Sequence, residues 1–566
     1  MSEQATVLNA MDNRNADPYE MNTAIGESEA KGYKSMNRRD FLKSVGILSL
    51  GLASHLSAGK TPKQPNILFI LSDDHSLQTL GAYKSRMQSF IKKHHITPNI
   101  DKLAAQGALF ENSFVGNSIC GPSRASILTG KHSCINGFKT NADRFNSDQW
   151  TVAKELQNAD YQTAVIGKWH LGSLPTGFDD YHVLPGQGMY YNPDFISKGY
   201  SESVRKQGYC SDVIADMTIE WLDKKRDRSR PFFLCSWHKA PHRNWMPHPR
   251  HFNLLDGVDV PEPDTLFDDY QGRTPSASEQ EMTIREHLNI ATDLKVTAPA
   301  MTTSAEKILE QSPKTKSMDP STIGEFQRMT PDQKEAWDDY YGPRNEAFRA
   351  ENLNGKDLVR WKYQAYLKDY IKCIKAMDEN VGRVVDYLKK NDLENDTIVI
   401  YSSDQGFYNG EHGWYDKRWM YEESLRNPLI IKWPNVTRPG TRRKEMVQNI
   451  DYAPTFLEAA GIGVPQQVQG KSLVPLLKGK PPKDWRKSIL YTYYGETIHA
   501  VAAHRGVRNE RYKLIEFYTK GEWEFYDLKK DPLEMNSEYN NPKYENIIRA
   551  LKQELETLMA QYQIEI

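Results

Sequence analysis

Apolar runs of strand length recur along the chain, and most of them stop at polar residues. Ile67 to Leu71 lies inside Asn66-Ile67-Leu68-Phe69-Ile70-Leu71-Ser72 and ends at Asp73-Asp74. Thr163-Ala164-Val165-Ile166 precedes Gly167-Lys168, and Phe232-Phe233-Leu234-Cys235 precedes a histidine-rich turn. Thr397-Ile398-Val399-Ile400-Tyr401 comes shortly before Asp404-Gln405, and Leu429-Ile430-Ile431 follows. Continuous apolar runs, as opposed to alternating ones, mark strands buried on both faces, as in a parallel sheet. Between them, Asp212 to Lys225 and Lys362 to Lys390 space their apolar residues at helical period. This alternation predicts an α/β fold: a large, mainly parallel sheet with helices on both faces. Open α/β sheets bind ligands beyond the carboxyl ends of their strands. The polar residues after these runs, scattered in sequence, are therefore expected to converge.

The pattern changes twice. Residues 250–345 lack strand runs and are rich in charge, Pro and Thr, with helical character over Asp332 to Glu346. They read as an insertion within a catalytic domain spanning 60–470, equally a lid or substrate wall and a solvated surface excursion. After about residue 470, Ile489 to Tyr494, Tyr512 to Ile515 and Trp523 to Tyr526 alternate like antiparallel strands. Tyr544 to Gln561 then reads as an amphipathic helix. Residues 471–566 are thus predicted to form a smaller α+β subdomain with an antiparallel sheet.

The amino-terminal end carries a targeting pattern. Residues 1–35 are polar and aperiodic, a leader or a sign that Met36 is the true start. Over residues 36–59, Arg38-Arg39-Asp40-Phe41-Leu42-Lys43 precedes an apolar stretch from Val45 to Leu56 and then Ser57-Ala58-Gly59. This is a signal segment of twin-arginine type. It predicts export to the periplasm or beyond, with an uncleaved anchor as the competing reading. No later stretch is long and apolar enough to span a bilayer.

Composition narrows the partners. The 566 residues carry 73 basic and 74 acidic side chains, a net charge of -1. That balance offers no electrostatic footprint for nucleic acid and no strong attraction to a membrane. An anionic substrate must be held by local charges. The five cysteines are widely spaced, with no C-x-x-C pair, so neither a zinc clip nor a disulfide framework is indicated.

Candidate chemistry sits at the strand ends. Asp73-Asp74 and Asp404-Gln405 together offer four oxygen-bearing side chains, a donor set that suits calcium better than zinc. Cys120 opens the stretch Cys120-Gly121-Pro122-Ser123-Arg124, which reads as a loop entering a helix, since Pro suits the first helical turn. A thiol there would gain from the helix dipole and from Arg124, so spacing alone allows a nucleophile of depressed pKa or a buried cysteine. Singly, Lys168, His170, His242 and Lys417 would more often be surface, capping or turn residues than catalysts.

Taken together and in order, these segments resemble the type I sulfatases, the formylglycine-dependent branch of the alkaline phosphatase superfamily. Cys120-Gly121-Pro122-Ser123-Arg124 followed by Leu128-Thr129-Gly130 resembles the family signature, and Asn66 to Asp74 its first metal strand. Gly167-Lys168-Trp169-His170-Leu171-Gly172 resembles the second signature. Ala240-Pro241-His242 and Asp404-Gln405-Gly406 followed by Lys417 complete the set. Gln405 stands where Asn is commoner. The resemblance implies an alkaline phosphatase-like fold, and oxidation of Cys120 to formylglycine by a maturation enzyme. It also implies one Ca2+ held by Asp73, Asp74, Asp404, Gln405 and the modified Cys120. One hydroxyl of the hydrated aldehyde would attack sulfur, and the other would allow sulfate to leave as the aldehyde reforms. Arg124 and the cation would polarise the attacking hydroxyl, and Lys168, Lys417 and the cation would neutralise charge on the sulfuryl oxygens. His170 would contact the gem-diol, and His242 would protonate the leaving alkoxide, with His238 its rival.

Arg243, Trp245, His412 and Arg418 are further candidates for substrate contact. The segments around His242 and Lys417 resemble those of bacterial carbohydrate sulfatases. The substrate class implied is a sulfated glycan: a glycosaminoglycan, a mucin or an algal polysaccharide such as ulvan. Two other readings stay open: a phosphodiesterase or phosphonate hydrolase of the same superfamily, and an inactive glycan-binding relative.

Overall fold

A computed structural model describes residues 64–296, 320–495 and 498–565; the expected signal segment over 36–59 lies outside them. From Gln64 onward the chain forms one compact unit. Strand β1 (Asn66–Ser72) is buried along its whole length. Leu68 and Ile70 enter one core while Ile67, Phe69 and Leu71 enter the other, which explains its unbroken apolar run. Strands β2 (Gln162–Lys168), β3 (Phe232–Trp237) and β4 (Thr397–Ser403) share the sheet, with β1 between β3 and β4.

The sheet has ten strands, and its centre is parallel: β4, β1, β3, β2 and Asp180–Leu184 run the same way. Antiparallel pairs flank this centre, including β5 (Leu429–Lys432) against β4. Helix α1 (Cys120–Thr129) covers one face through Ala125, Ile127 and Leu128. Helices α2 (Cys210–Glu220) and α3 (Gly355–Lys390) cover the other. The expected large α/β sheet with helices on both faces is therefore what forms.

The insertion is more ordered than its composition suggests. Residues 331–351 are helical, with Trp337 and Tyr341 buried in the same core as α3. At the carboxyl end a separate antiparallel sheet follows the order β6 (Ser488–Tyr493), β7 (His504–Asn509), β8 (Tyr512–Phe517), β9 (Glu522–Asp527). Helix α4 (Glu545–Gln561) packs Ile548, Leu551, Leu555 and Leu558 against Leu490, Val507, Leu514 and Phe525 of that sheet. The opposite face meets Trp414, Trp419 and Tyr421. No helix among the described residues is long and apolar enough to cross a membrane.

Candidate active site

The carboxyl ends of β1, β2, β3 and β4 bring the predicted residues together. Asp73 and Asp74 leave β1, Asp404 and Gln405 leave β4, and Lys168 ends β2. Adjacent parallel strands in register carry their successors to one edge, so residues more than 300 positions apart touch. The amide of Asp74 donates to Asp404 Oδ1 at 3.1 Å. Carboxylate oxygens of Asp73, Asp74 and Asp404 lie within 4.8 Å of one another, and all three residues are buried.

Cys120 is the first residue of α1, as the position of Pro122 predicts. A Cβ at Gly121 would collide with the Phe138 ring and crowd Asn141 Oδ1, so this approach to the cysteine requires glycine. Cys120 Sγ lies 3.1 Å from Lys417 Nζ and 3.8 Å from Gln405 Nε2. Lys417 also contacts Asp74 at 2.6 and 2.7 Å. Arg124 contacts Asp404 at 3.0 Å and Asp73 at 3.5 Å, and Lys168 pairs with Asp73. Three buried acids thus face three buried cations. His242 directs Nδ1 at the Arg243 carbonyl (2.6 Å), which leaves Nε2 facing Asp74 at 3.7 Å. Asp74 and His170 hold left-handed backbone, φ 67° and 57°, a conformation more accessible to Asp and His than to most side-chain-bearing residues.

The electrostatics follow from burial. Burial works to raise the Asp73 carboxyl, but Lys168, His242, Arg124 and Lys417 hold it well below the usual range. Burial, then the charge of Asp73, push Asp404 up to about 8. Burial likewise lifts Asp74 to about 6, against the pull of Lys417. Burial and then Lys168 drive both His170 and His242 well below the ordinary imidazole value.

Cys120 corrects the simplest reading of its position. Burial, then Asp73, push its thiol up to about 12, outweighing the nearby cations. As a plain thiol it is a poor nucleophile at neutral pH.

The acids fit a hard divalent cation. Asp73 Oδ1 and Gln405 Oε1 are buried with no hydrogen-bond partner, beside two further carboxylates. Unpartnered buried oxygens are costly, and an all-oxygen donor set is the kind calcium takes.

A cavity of about 260 Å³ opens onto this cluster, and Asp74, Cys120, His242 and Lys417 reach it. Arg243 and Arg418 also line it. His238, His412 and Trp245 do not, and these three expectations are corrected. The His238 ring is buried behind β3, where it senses only Asp212 and burial pushes it down to about 4. His412 is tied to Arg273 (2.9 Å) and Asp268 (3.3 Å) beneath the carboxyl-terminal sheet. Trp245 is a core residue, 4.5 Å from the Tyr366 ring centroid.

Several lining residues escaped the sequence reading. Gln187 accepts from Lys168 Nζ at 2.6 Å, and Asn141 accepts from the Gly121 amide at 3.1 Å. Asp416 joins Arg418 (2.5 Å) to His499 (2.6 Å). Glu325 and Lys239 complete the wall. Asp416 and Lys239 adjoin residues that were identified; Gln187, Glu325 and His499 have no local signal.

The sulfatase family model matches residues 65–462, and the model for the carboxyl-terminal part of N-sulphoglucosamine sulphohydrolase matches 410–561. The chain therefore belongs to the sulfatase family, and it is a sulfuric ester hydrolase of the type I group. It is 43% identical, over 93% of its length and 91% of the relative's, to an N-acetylglucosamine-6-O-sulfatase of Bacteroides thetaiotaomicron. It is similar to the solved structure of BT4656 in complex with its substrate D-glucosamine-2-N,6-O-disulfate. The TM-score is 0.82 at 43% identity, covering 88% of this chain and 98% of that one. An N-acetylglucosamine-6-sulfatase of Capra hircus is 27% identical over 78% of this chain and 68% of its own.

Proposed function

We propose that this protein hydrolyses the 6-O-sulfate ester of a glucosamine or N-acetylglucosamine unit in a sulfated glycan, after Cys120 has been oxidised to formylglycine. The carrying observation is the placement of Cys120: on the cavity wall, 3.1 Å from Lys417 and within reach of Gln405, beside the three clustered acids. A thiol held protonated by burial has little use there, whereas an aldehyde precursor does. The names of the similar proteins support the 6-position and the amino sugar. The cavity, about 260 Å³, falls just below the ~300–1,000 Å³ of most small-ligand pockets, which suits one sugar ring better than an extended chain.

Asp73, Asp74, Asp404 and Gln405 would hold a calcium ion, which when bound supplies Lewis-acid stabilisation of sulfuryl oxygen. The hydrated aldehyde supplies the oxygen nucleophile. Lys417 and Lys168 neutralise charge that develops on the sulfuryl group, and Arg124 fixes Asp404 and Asp73. His242 offers Nε2 to the leaving oxygen, because Nδ1 is engaged by the Arg243 carbonyl. Burial, then Lys168 and Lys417, hold this imidazole well below its ordinary value; the negative charge of a bound ester would favour its proton. Export through the amino-terminal segment and modification by a formylglycine-generating enzyme belong to the same reading.

The test is a panel of defined substrates offered to the matured enzyme: glucosamine sulfated at N, 3 or 6, an aryl sulfate and a phosphodiester. The reading predicts fastest release from the 6-sulfated sugars. Faster phosphodiester cleavage would favour the phosphonate and phosphodiester hydrolases. Binding without sulfate release would favour a glycan-binding protein.

A further inference from the structure

One charged side chain in the cavity has no task in this chemistry. Lys239 follows β3, lines the same cavity as Cys120, and is only 3% exposed. Each of the other lysines at the site is closed on acids or amides: Lys168 on Asp73 and Gln187, Lys417 on Asp74. Among the described residues, the Lys239 ammonium makes no hydrogen bond or ion pair; its backbone carbonyl accepts from the His242 amide at 3.0 Å. Its ammonium stands over the Tyr190 ring, 4.8 Å from the centroid. Glu325 on the cavity wall is near enough for its charge to act on Lys239, but it forms no ion pair with it and instead accepts from the backbone amides of Tyr190 (2.6 Å) and Tyr191 (3.0 Å). Burial of an ammonium without a direct ion pair is costly, and a cation–π contact compensates only in part.

We propose that Lys239 is a specificity-determining residue that receives a second anionic oxygen group of the substrate, distinct from the ester sulfate being cleaved. The group is either an N-sulfate on the same sugar or a carboxylate on its neighbour. Lys239 contacts none of Asp73, Asp74 or Asp404, whereas Lys168 and Lys417 both do, so it stands apart from the sulfuryl position. It stands instead beside Tyr190 and Glu325, on the wall formed by the Gln187–Tyr190 segment and the insertion. The inference rests on the glycan reading above.

The experiment compares kcat/KM of the matured enzyme and Lys239→Met on three 6-sulfated substrates: N-acetylglucosamine, N-sulfoglucosamine, and an N-acetylglucosamine linked to a uronate. The expected result is a loss of about tenfold or more on one charged substrate, carried by KM, with the N-acetyl monosaccharide within about twofold. Lys239→Arg should restore the preference. The substrate that suffers identifies the group as N-sulfate or carboxylate. Equal losses on all three, as a counter-charge for Glu325 or a ligand to the ester sulfate would give, overturn the inference. So does an unchanged preference, and in neither case is the glycan reading harmed. Failure of the wild type to release sulfate from any of the three overturns both. Wild-type inhibition keeps the test independent of how Lys239→Met folds. N-sulfoglucosamine or a free uronate, each lacking the 6-sulfate, should inhibit about tenfold more tightly than N-acetylglucosamine. Equal inhibition by all three sugars overturns the inference.

Discussion

Two buried charge clusters in this molecule look alike by composition and differ in what they face. At the sheet edge, Asp73, Asp74 and Asp404 meet Arg124, Lys168 and Lys417. Beneath the insertion, Asp369 of α3 meets Lys295 at 3.0 Å, the Tyr341 hydroxyl at 3.0 Å and Arg344 at 3.6 Å. The second cluster borders the roomier cavity, about 970 Å³, yet its buried carboxylate is satisfied from within. In the first, Asp73 Oδ1 and Gln405 Oε1 have no donor, and a thiol stands beside them. Neither buried charge nor cavity size marks the site; unsatisfied oxygens arranged around a reactive position do. The sheet-edge cluster is built to receive something, and the insertion cluster is built to hold the fold together.

Substitutions can set the two apart. Cys120→Ala should abolish sulfate release while leaving the melting temperature within a degree or two of the parent, checked by sulfate assay and calorimetry; near-normal activity would refute the mechanism. The parent is expected to gain about 2.7 kcal/mol of stability at a hundredfold excess of calcium over Kd, read as an upward shift in Tm, and Asp73→Asn should eliminate that shift. A shift that survived unchanged would remove the metal from the account. Asp369→Asn should do the reverse. It strands Lys295 in the interior and destabilises by about 3 kcal/mol in denaturant unfolding, with the calcium response intact.

The smallest effect concerns a buried carboxylate with no ion-pair partner. Asp378 caps the helix that begins at Pro98, accepting from the amides of Asn99 and Ile100, and burial pushes it up to about 7. The folded state therefore binds this proton more tightly than the unfolded chain. Stability on this account falls as pH rises from the ordinary carboxylate range through about 7. Asp378→Asn keeps an acceptor for those amides and should flatten that slope in Tm measured across pH.

Much of this was legible in the chain. The strands of the parallel centre are legible because burial on both faces demands unbroken apolar runs, and the strand-end rule gathers Asp73, Asp74, Lys168 and Asp404 from sequence alone. What stayed hidden had physical reasons. Strand β7, His504 to Asn509, offers Val507 as its one large apolar residue, and its Gly506 is needed because a Cβ would strike Leu514 O and Met420. Outer strands such as Asp194–Ser197 are too short and mixed for a clear period. His238 and His412 lie near other candidates in sequence, but adjacency does not set surroundings: His238 is buried just after β3, and the His412 ring packs into an aromatic cluster. Gln187, Glu325 and His499 reach the cavity by tertiary folding alone, from segments with no motif.

The central claim is that the working group at position 120 is an aldehyde made from cysteine. The direct measurement is the mass of the peptide containing residue 120, taken from enzyme shown to release sulfate, before and after reaction with a carbonyl-reactive hydrazide. The account predicts a peptide lighter than the thiol form that gains the hydrazide. A fully active enzyme whose residue 120 is an unmodified thiol throughout would contradict it.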